Sequence, residues 1–217
     1  GVLVHSSGVV PGAPRFMKML HERRLPYRII TNDASRLERT TAQSYAARGV
    51  EIPESHVVTA GSLVSEYVAE HDLEEATVLV LGPSDSHAYV RRAGADPVEP
   101  DGETLVDALV VGDEAFEPFL HGLDLALTQV MKSFDAGRSV HLVCPNPDAL
   151  YPVSATRFGF AAGSLAAMFE HAIESRLGEK RRFARLGKPF APIFERATRE
   201  LPSGRIAVLG DQLATDI

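Results

Sequence analysis

Cysteine is almost absent from the 217 residues. The single thiol, Cys144, leaves no intrachain disulfide possible and fits a reducing compartment, so a cytoplasmic protein is expected. Long apolar runs are missing too. None approaches the roughly 20 residues a membrane span needs, and no stretch reads as a signal peptide. Basic charge is in deficit, with 22 Lys and Arg against 29 Asp and Glu, a net charge of −7. An acidic chain without a long basic run suits neither nucleic acid nor an anionic membrane surface. The densest basic stretch, KRRFAR at 180–185, reads as a solvated loop or helix end. Close repeats and low-complexity segments are also lacking.

What is present is ordinary globular composition, 45 % hydrophobic and 24 % charged, long enough for one large domain or two small ones. Short apolar strands alternate with helical patterns of about ten or more residues. GVLVH (1–5), PYRIITN (26–32), HVVTA (56–60), ATVLVLG (76–82), ALVVG (108–112), SVHLVCPN (139–146) and RIAVLGD (205–211) read as strands. Helices are expected over 13–25, 35–49, 62–71, 84–94, 116–134, 164–178 and 189–201, with Gly49, Gly94 and Gly178 as stops. SSGVVPGA reads as loop. This alternation predicts an α/β fold with mostly parallel sheets, in which ligands sit beyond the carboxyl ends of the strands. Gly1 opens on a strand already under way, and the sequence stops before the helix expected after Asp216. Both ends therefore read as cut within structured elements, and a longer parent chain is expected.

The residues after each strand carry the candidate chemistry. Asp211 and Asp216 follow the last strand; they can hold Mg²⁺ together with waters and substrate oxygens, or Asp211 can cap a helix while Asp216 faces water. TNDAS (31–35) offers a Thr hydroxyl and successive backbone N–H groups to a phosphate, or serves as a plain capping turn. Lys188, between Gly187 and the helix-opening Pro189, can neutralise an anion or be an ordinary surface lysine. In CPNPDALYP (144–152), stiffened by prolines, Asn146, Asp148 and Tyr151 can face a substrate or make a simple turn. The strand–Gly82–helix segment lacks G-x-G-x-x-G, which argues against dinucleotide binding, and His56, His71, His87 and His121 form no metal spacing.

Taken jointly, GVLVHSSGVVPGA (1–13), TNDAS, CPNPDALYP, GKP (187–189) and GDQLATDI (210–217) resemble the haloacid dehalogenase superfamily, most like its C2-capped branch of NagD-like and p-nitrophenyl-phosphatase-like hydrolases. The resemblance implies a doubly wound, Rossmann-like core over 1–72 and 183–217, with an inserted α/β cap over 73–182. It implies Mg²⁺-dependent hydrolysis of a small phosphorylated metabolite through an aspartyl-phosphate. Thr31 matches the hydroxyl that holds the phosphoryl group, with Asn32 and Asp33 as its neighbours. Asp33 departs from the usual Asn, so its N–H rather than its carboxylate is expected to serve the phosphate. Lys188 matches the lysine that pairs nucleophile and phosphate, Asp211 the metal ligand, and Asp216 the second acid, which orients a metal-bound water. Asn146, Asp148 and Tyr151 fall in the cap's specificity loop, and caps of this branch often mediate homodimers. The family's nucleophile and general acid form an Asp-x-Asp directly before Gly-Val-Leu, hence ahead of Gly1; the 217 residues alone are expected to be inactive. Two other readings stay open: a degenerate relative that binds without turnover, and a nucleotide-binding module at Gly82.

Overall fold

The apolar runs TVLVL, ALVV and HLVC lack the alternation of a half-exposed strand. Such runs suit strands buried on both faces. The computed structural model, which describes residues 1–5, 8–154 and 156–216, uses them this way. Ser6, Ser7, Ala155 and Ile217, which belong to stretches quoted above, lie outside the described residues.

The chain opens with a short antiparallel pair, β1 (Val4–His5) on β2 (Gly8–Val9), so part of the expected loop is a strand. Next come α1 (Ala13–Glu22), β3 (Ile29–Thr31), α2 (Glu38–Ala46) and β4 (Val57–Thr59). β3 and β4 pair in parallel, with Thr31 opposite Thr59. α3 (Leu63–Glu70) leads into β5 (Thr77–Leu81), α4 (Ser84–Arg92), β6 (Asp96–Val98), β7 (Ala108–Val111), α5 (Phe119–Asp135) and β8 (His141–Cys144). A small hairpin of β9 (Leu150–Pro152) and β10 (Phe158–Phe160) precedes α6 (Ala162–Leu177). β11 (Ala184–Arg185), α7 (Ala191–Thr198) and α8 (Leu213–Asp216) complete the order.

Five strands form one parallel sheet, in the order β11-β8-β7-β5-β6. Pro97 lies in β6, at an edge, where its missing N–H interrupts no ladder. Alternate side chains of the central strands reach opposite faces. Val78, Val80, Val110 and Val143 join Val64 and Val68 of α3, Tyr89 and Val90 of α4 and Ile193 of α7 in one apolar cluster. Leu79, Leu81, Leu109 and Leu142 join Leu123 and Val130 of α5 and Phe169 and Ile173 of α6 in another. The sheet is therefore doubly wound, with helices on both faces. The glycines read as stops take positive φ, 77° at Gly49, 89° at Gly94 and 74° at Gly178, a backbone conformation that other residues adopt only with strain.

One strand is not where the apolar pattern put it. Residues 205–210 run as irregular chain, with Ile206, Val208 and Leu209 exposed at 51, 53 and 61 %. A strand needs a neighbour to take its N–H and C=O groups, and among the described residues none pairs with this segment. Exposed apolar side chains also mark the β9–β10 hairpin, where Phe158 and Phe160 stand in solvent. Among the described residues, no helix is long and apolar enough to cross a membrane.

Candidate active site

Parallel pairing brings strand exits together. Arg185 in β11 is in register with Cys144 in β8, so the chain beyond each strand carries Lys188 and Asn146 to the same end of the sheet. Thr31 ends β3 nearby. Eight of the nine residues singled out above, Thr31, Asn32, Asp33, Asn146, Asp148, Lys188, Asp211 and Asp216, line one cavity of about 820 Å³. Tyr151, the ninth, lines a smaller cavity that shares Thr31, Asp33, Asn146 and Asp148 with the first.

Asn32 organises the larger cavity. Its side chain is buried, and its amide donates to Asp148 Oδ1 at 3.0 Å and to the Lys188 carbonyl at 2.9 Å. Its Oδ1 accepts the Lys188 N–H at 2.7 Å. One amide thus ties the turn after β3, the loop after β8 and the lysine after β11. Gly187 makes this approach possible: a Cβ there would lie 2.7 Å from both Asn32 Oδ1 and the Pro145 carbonyl oxygen. Asn146 folds its own loop by accepting the Asp148 N–H at 3.1 Å. The neighbouring thiol of Cys144 is sealed in, and burial pushes its pKa up to about 12, which leaves it inert.

Lys188 Nζ reaches Asp216 Oδ1 at 2.5 Å. Asp216 Oδ2 accepts the backbone N–H groups of Asp211 and Gln212, each at 3.0 Å. Burial works to raise the Asp216 pKa, yet the Lys188 ammonium and these N–H groups outweigh it and hold the carboxyl below its usual range. Both Asp216 oxygens are engaged by donors. The Asp211 carboxylate is instead nearly half exposed, and the Gly1 amino nitrogen lies 3.1 Å from its Oδ2. Burial raises the Asp148 pKa, against the opposing influence of Asn32 and Lys188.

In the turn after β3, the Asp33 N–H donates to Thr31 Oγ1 at 3.2 Å, while its carboxylate takes Ser35 Oγ at 2.8 Å and the Arg36 guanidinium at 2.6 Å. Arg36 therefore neutralises the acid that departs from the family pattern. Reading the sequence did not single out Arg36, Asp113 or Glu114, which line the smaller cavity. The last two belong to GDEA, the exit of β7, so the strand-exit rule held the signal that could have found them. The turn at Gly82 is no open phosphate cradle. A Cβ there would lie 2.6 Å from Ser86 Oγ, which donates to the Ala34 carbonyl at 2.8 Å.

A family model described as haloacid dehalogenase-like hydrolase matches residues 1–96. A possible sugar phosphatase of the haloacid dehalogenase superfamily from Cytophaga hutchinsonii is 30 % identical, with a TM-score of 0.80; the match covers 100 % of this chain and 76 % of that one. The ribonucleotide monophosphatase NagD of Escherichia coli is 26 % identical over 223 residues, 100 % of this chain and 78 % of its own. A glycerol phosphate phosphatase of Mycobacterium tuberculosis, solved with magnesium, superposes with a TM-score of 0.78 at 24 % identity, covering 100 % of this chain and 60 % of that one.

Proposed function

The chain belongs to the haloacid dehalogenase-like hydrolases, and from that premise we propose that it is a Mg²⁺-dependent phosphatase acting on phosphate monoesters of small metabolites through an aspartyl-phosphate. The observation that carries this reading is the convergence of Thr31, Lys188, Asp211 and Asp216 on one cavity. Two separate strand exits and the 210–216 segment supply them, and phosphoryl transfer needs such a set of positioned charges and donors more than it needs covalent versatility.

Thr31 Oγ and the backbone N–H groups of the turn after it bind the phosphoryl oxygens. The Lys188 ammonium offsets their charge and holds it near the attacking carboxylate. Asp211 would hold Mg²⁺, which supplies further neutralisation when bound. The donor set fits that ion, because Mg²⁺ takes one or two carboxylates and keeps several waters, and Asp211 offers hard oxygens open to the cavity. Asp216, with both oxygens already engaged, fixes the lysine and the 210–216 loop and orients an outer water. The nucleophile and general acid are assigned to an Asp-x-Asp directly ahead of Gly1. Attack by the carboxylate oxygen on phosphorus releases the alcohol, which takes a proton from the second aspartate; water then cleaves the acyl phosphate. Residues 73–182 form the cap in this reading and close the cavity from water.

The test uses the protein expressed from its complete gene. Asp211→Asn should lower Mg²⁺-dependent release of phosphate from p-nitrophenyl phosphate by about a thousandfold or more. Full activity in Asp211→Asn would overturn the assignment. Phosphate binding without turnover by the complete gene product would favour a degenerate binder instead.

A further inference from the structure

The smaller cavity opens off the phosphate turn and has a volume of about 220 Å³. Arg36, Asp113, Glu114, Asn146, Asp148 and Tyr151 line it. A phosphoryl group held at Thr31 and Asp33 would direct its ester oxygen toward this space, since both residues border the two cavities. At about 30 Å³ per water, the cavity has room for roughly seven non-hydrogen atoms. That is enough for a three- or four-carbon group.

Its charge is one-sided. Arg36 is its lone cation among the described residues and is already spent on Asp33 at 2.6 Å. Asp148 takes a hydrogen bond from Asn32 at 3.0 Å. Asp113 and Glu114 are in no described ion pair; Asp113 accepts the Ala115 N–H at 2.9 Å and a hydrogen bond from the Ser35 hydroxyl, and feels Arg36 only at a distance. Burial raises both carboxyls, outweighing the Ala115 N–H, Arg36 and the Ser35 hydroxyl at Asp113; Asp33 adds to the push on Asp113, and Asp113 to that on Glu114. Two acceptor-only groups and a Tyr hydroxyl therefore face a space of small size. Hydroxyl groups can donate to such carboxylates, whereas a second anion would meet four acids, Asp33, Asp113, Glu114 and Asp148, against the one cation Arg36.

Resting on the phosphatase reading, we infer that this side cavity receives the leaving group and selects a small, uncharged polyol over a carboxylated or doubly phosphorylated one, with Asp113 and Glu114 as the discriminating residues. An anion brought within about 6 Å of one such carboxylate, at an effective dielectric near 20, is disfavoured roughly a hundredfold.

A matched pair of substrates tests this on the complete gene product. Glycerol 3-phosphate and 3-phosphoglycerate differ in a hydroxymethyl against a carboxylate, and p-nitrophenyl phosphate reports on the phosphoryl site. The kcat/KM for glycerol 3-phosphate should exceed that for 3-phosphoglycerate by about a hundredfold. Glu114→Gln, and Asp113→Asn with Glu114→Gln, should shrink the ratio by about tenfold or more. A wild-type ratio near one, or a ratio unchanged in both variants, overturns the inference while p-nitrophenyl phosphate turnover leaves the phosphatase reading standing. Loss of all three activities in the wild type overturns both.

Discussion

The five-stranded sheet and the β3–β4 pair are built from the same kinds of residue, yet they end in different states. In the first, β5, β7 and β8 each have strands on both sides and helices on both faces, and their side chains are almost wholly buried. In the second, Ile29 and Ile30 of β3 are only partly buried and line the large cavity, which the exposed 205–209 segment also borders. The same apolar composition gives a closed core in one region and an open groove in the other. Stability and candidate chemistry are divided accordingly. The sheet carries the buried area, while Thr31, Lys188 and Asp211 sit where the packing opens.

The sharpest way to break this division is to show that a site residue holds the fold. Lys188→Met leaves the Asp216 carboxylate, 6 % exposed, without its ammonium. Removing one partner of a buried pair is expected to lower unfolding free energy by about 3 kcal/mol, read by urea denaturation at pH 7. A change under about 0.5 kcal/mol would mean that the pair is open in solution. The next contrast sets two leucines against each other. Leu109→Ala, in fully buried β7, should lose about 3 kcal/mol, and Leu209→Ala, 61 % exposed, less than about 0.5 kcal/mol. Equal losses would show that 205–210 is packed in solution and would erase the difference between the regions.

The smallest effect is a pair of opposite pH slopes. Asp216 titrates below its usual range, so its contribution to stability is present above the ordinary carboxylate pKa of about 4 and is lost as pH falls through the lower folded value. Asp113 and Glu114 titrate above theirs, so their contribution is fullest below about pH 4 and is lost as pH rises through the raised folded values. Denaturation curves between pH 3 and 7 should lose the second slope in Asp113→Asn with Glu114→Gln and keep the first. A second slope that persists in that variant would place its source elsewhere.

Much of the architecture was legible because a fully buried parallel strand has a plain signature. TVLVL, ALVV and HLVC needed no context. IAVL at 206–209 carries the same signature, but a strand is a property of two segments, and composition reports on one. The β9–β10 hairpin was hidden for the converse reason, since LYP and FGF are too short and too glycine- and proline-rich to alternate. At the site, TNDAS, CPNPD and GKP stood out as oxygen-rich or charged segments just past strands, and the structure draws them onto one cavity. Asp113 and Glu114 did not stand out, because GDEA alone is an ordinary polar turn. Only the approach of the β3 exit to the β7 exit turns it into a wall.

The shared amide of Asn32 bears on how such a chain could change its diet. Asp148 cannot move without loosening the lysine, because one side chain answers to both. Asp113, Glu114 and Tyr151 hold no such obligation in the described structure. Variation is therefore expected to gather on that side of the cavity, leaving the side tied together by Asn32 and Lys188 untouched. The fold keeps its innovations and its fixed machinery on opposite banks of the same opening.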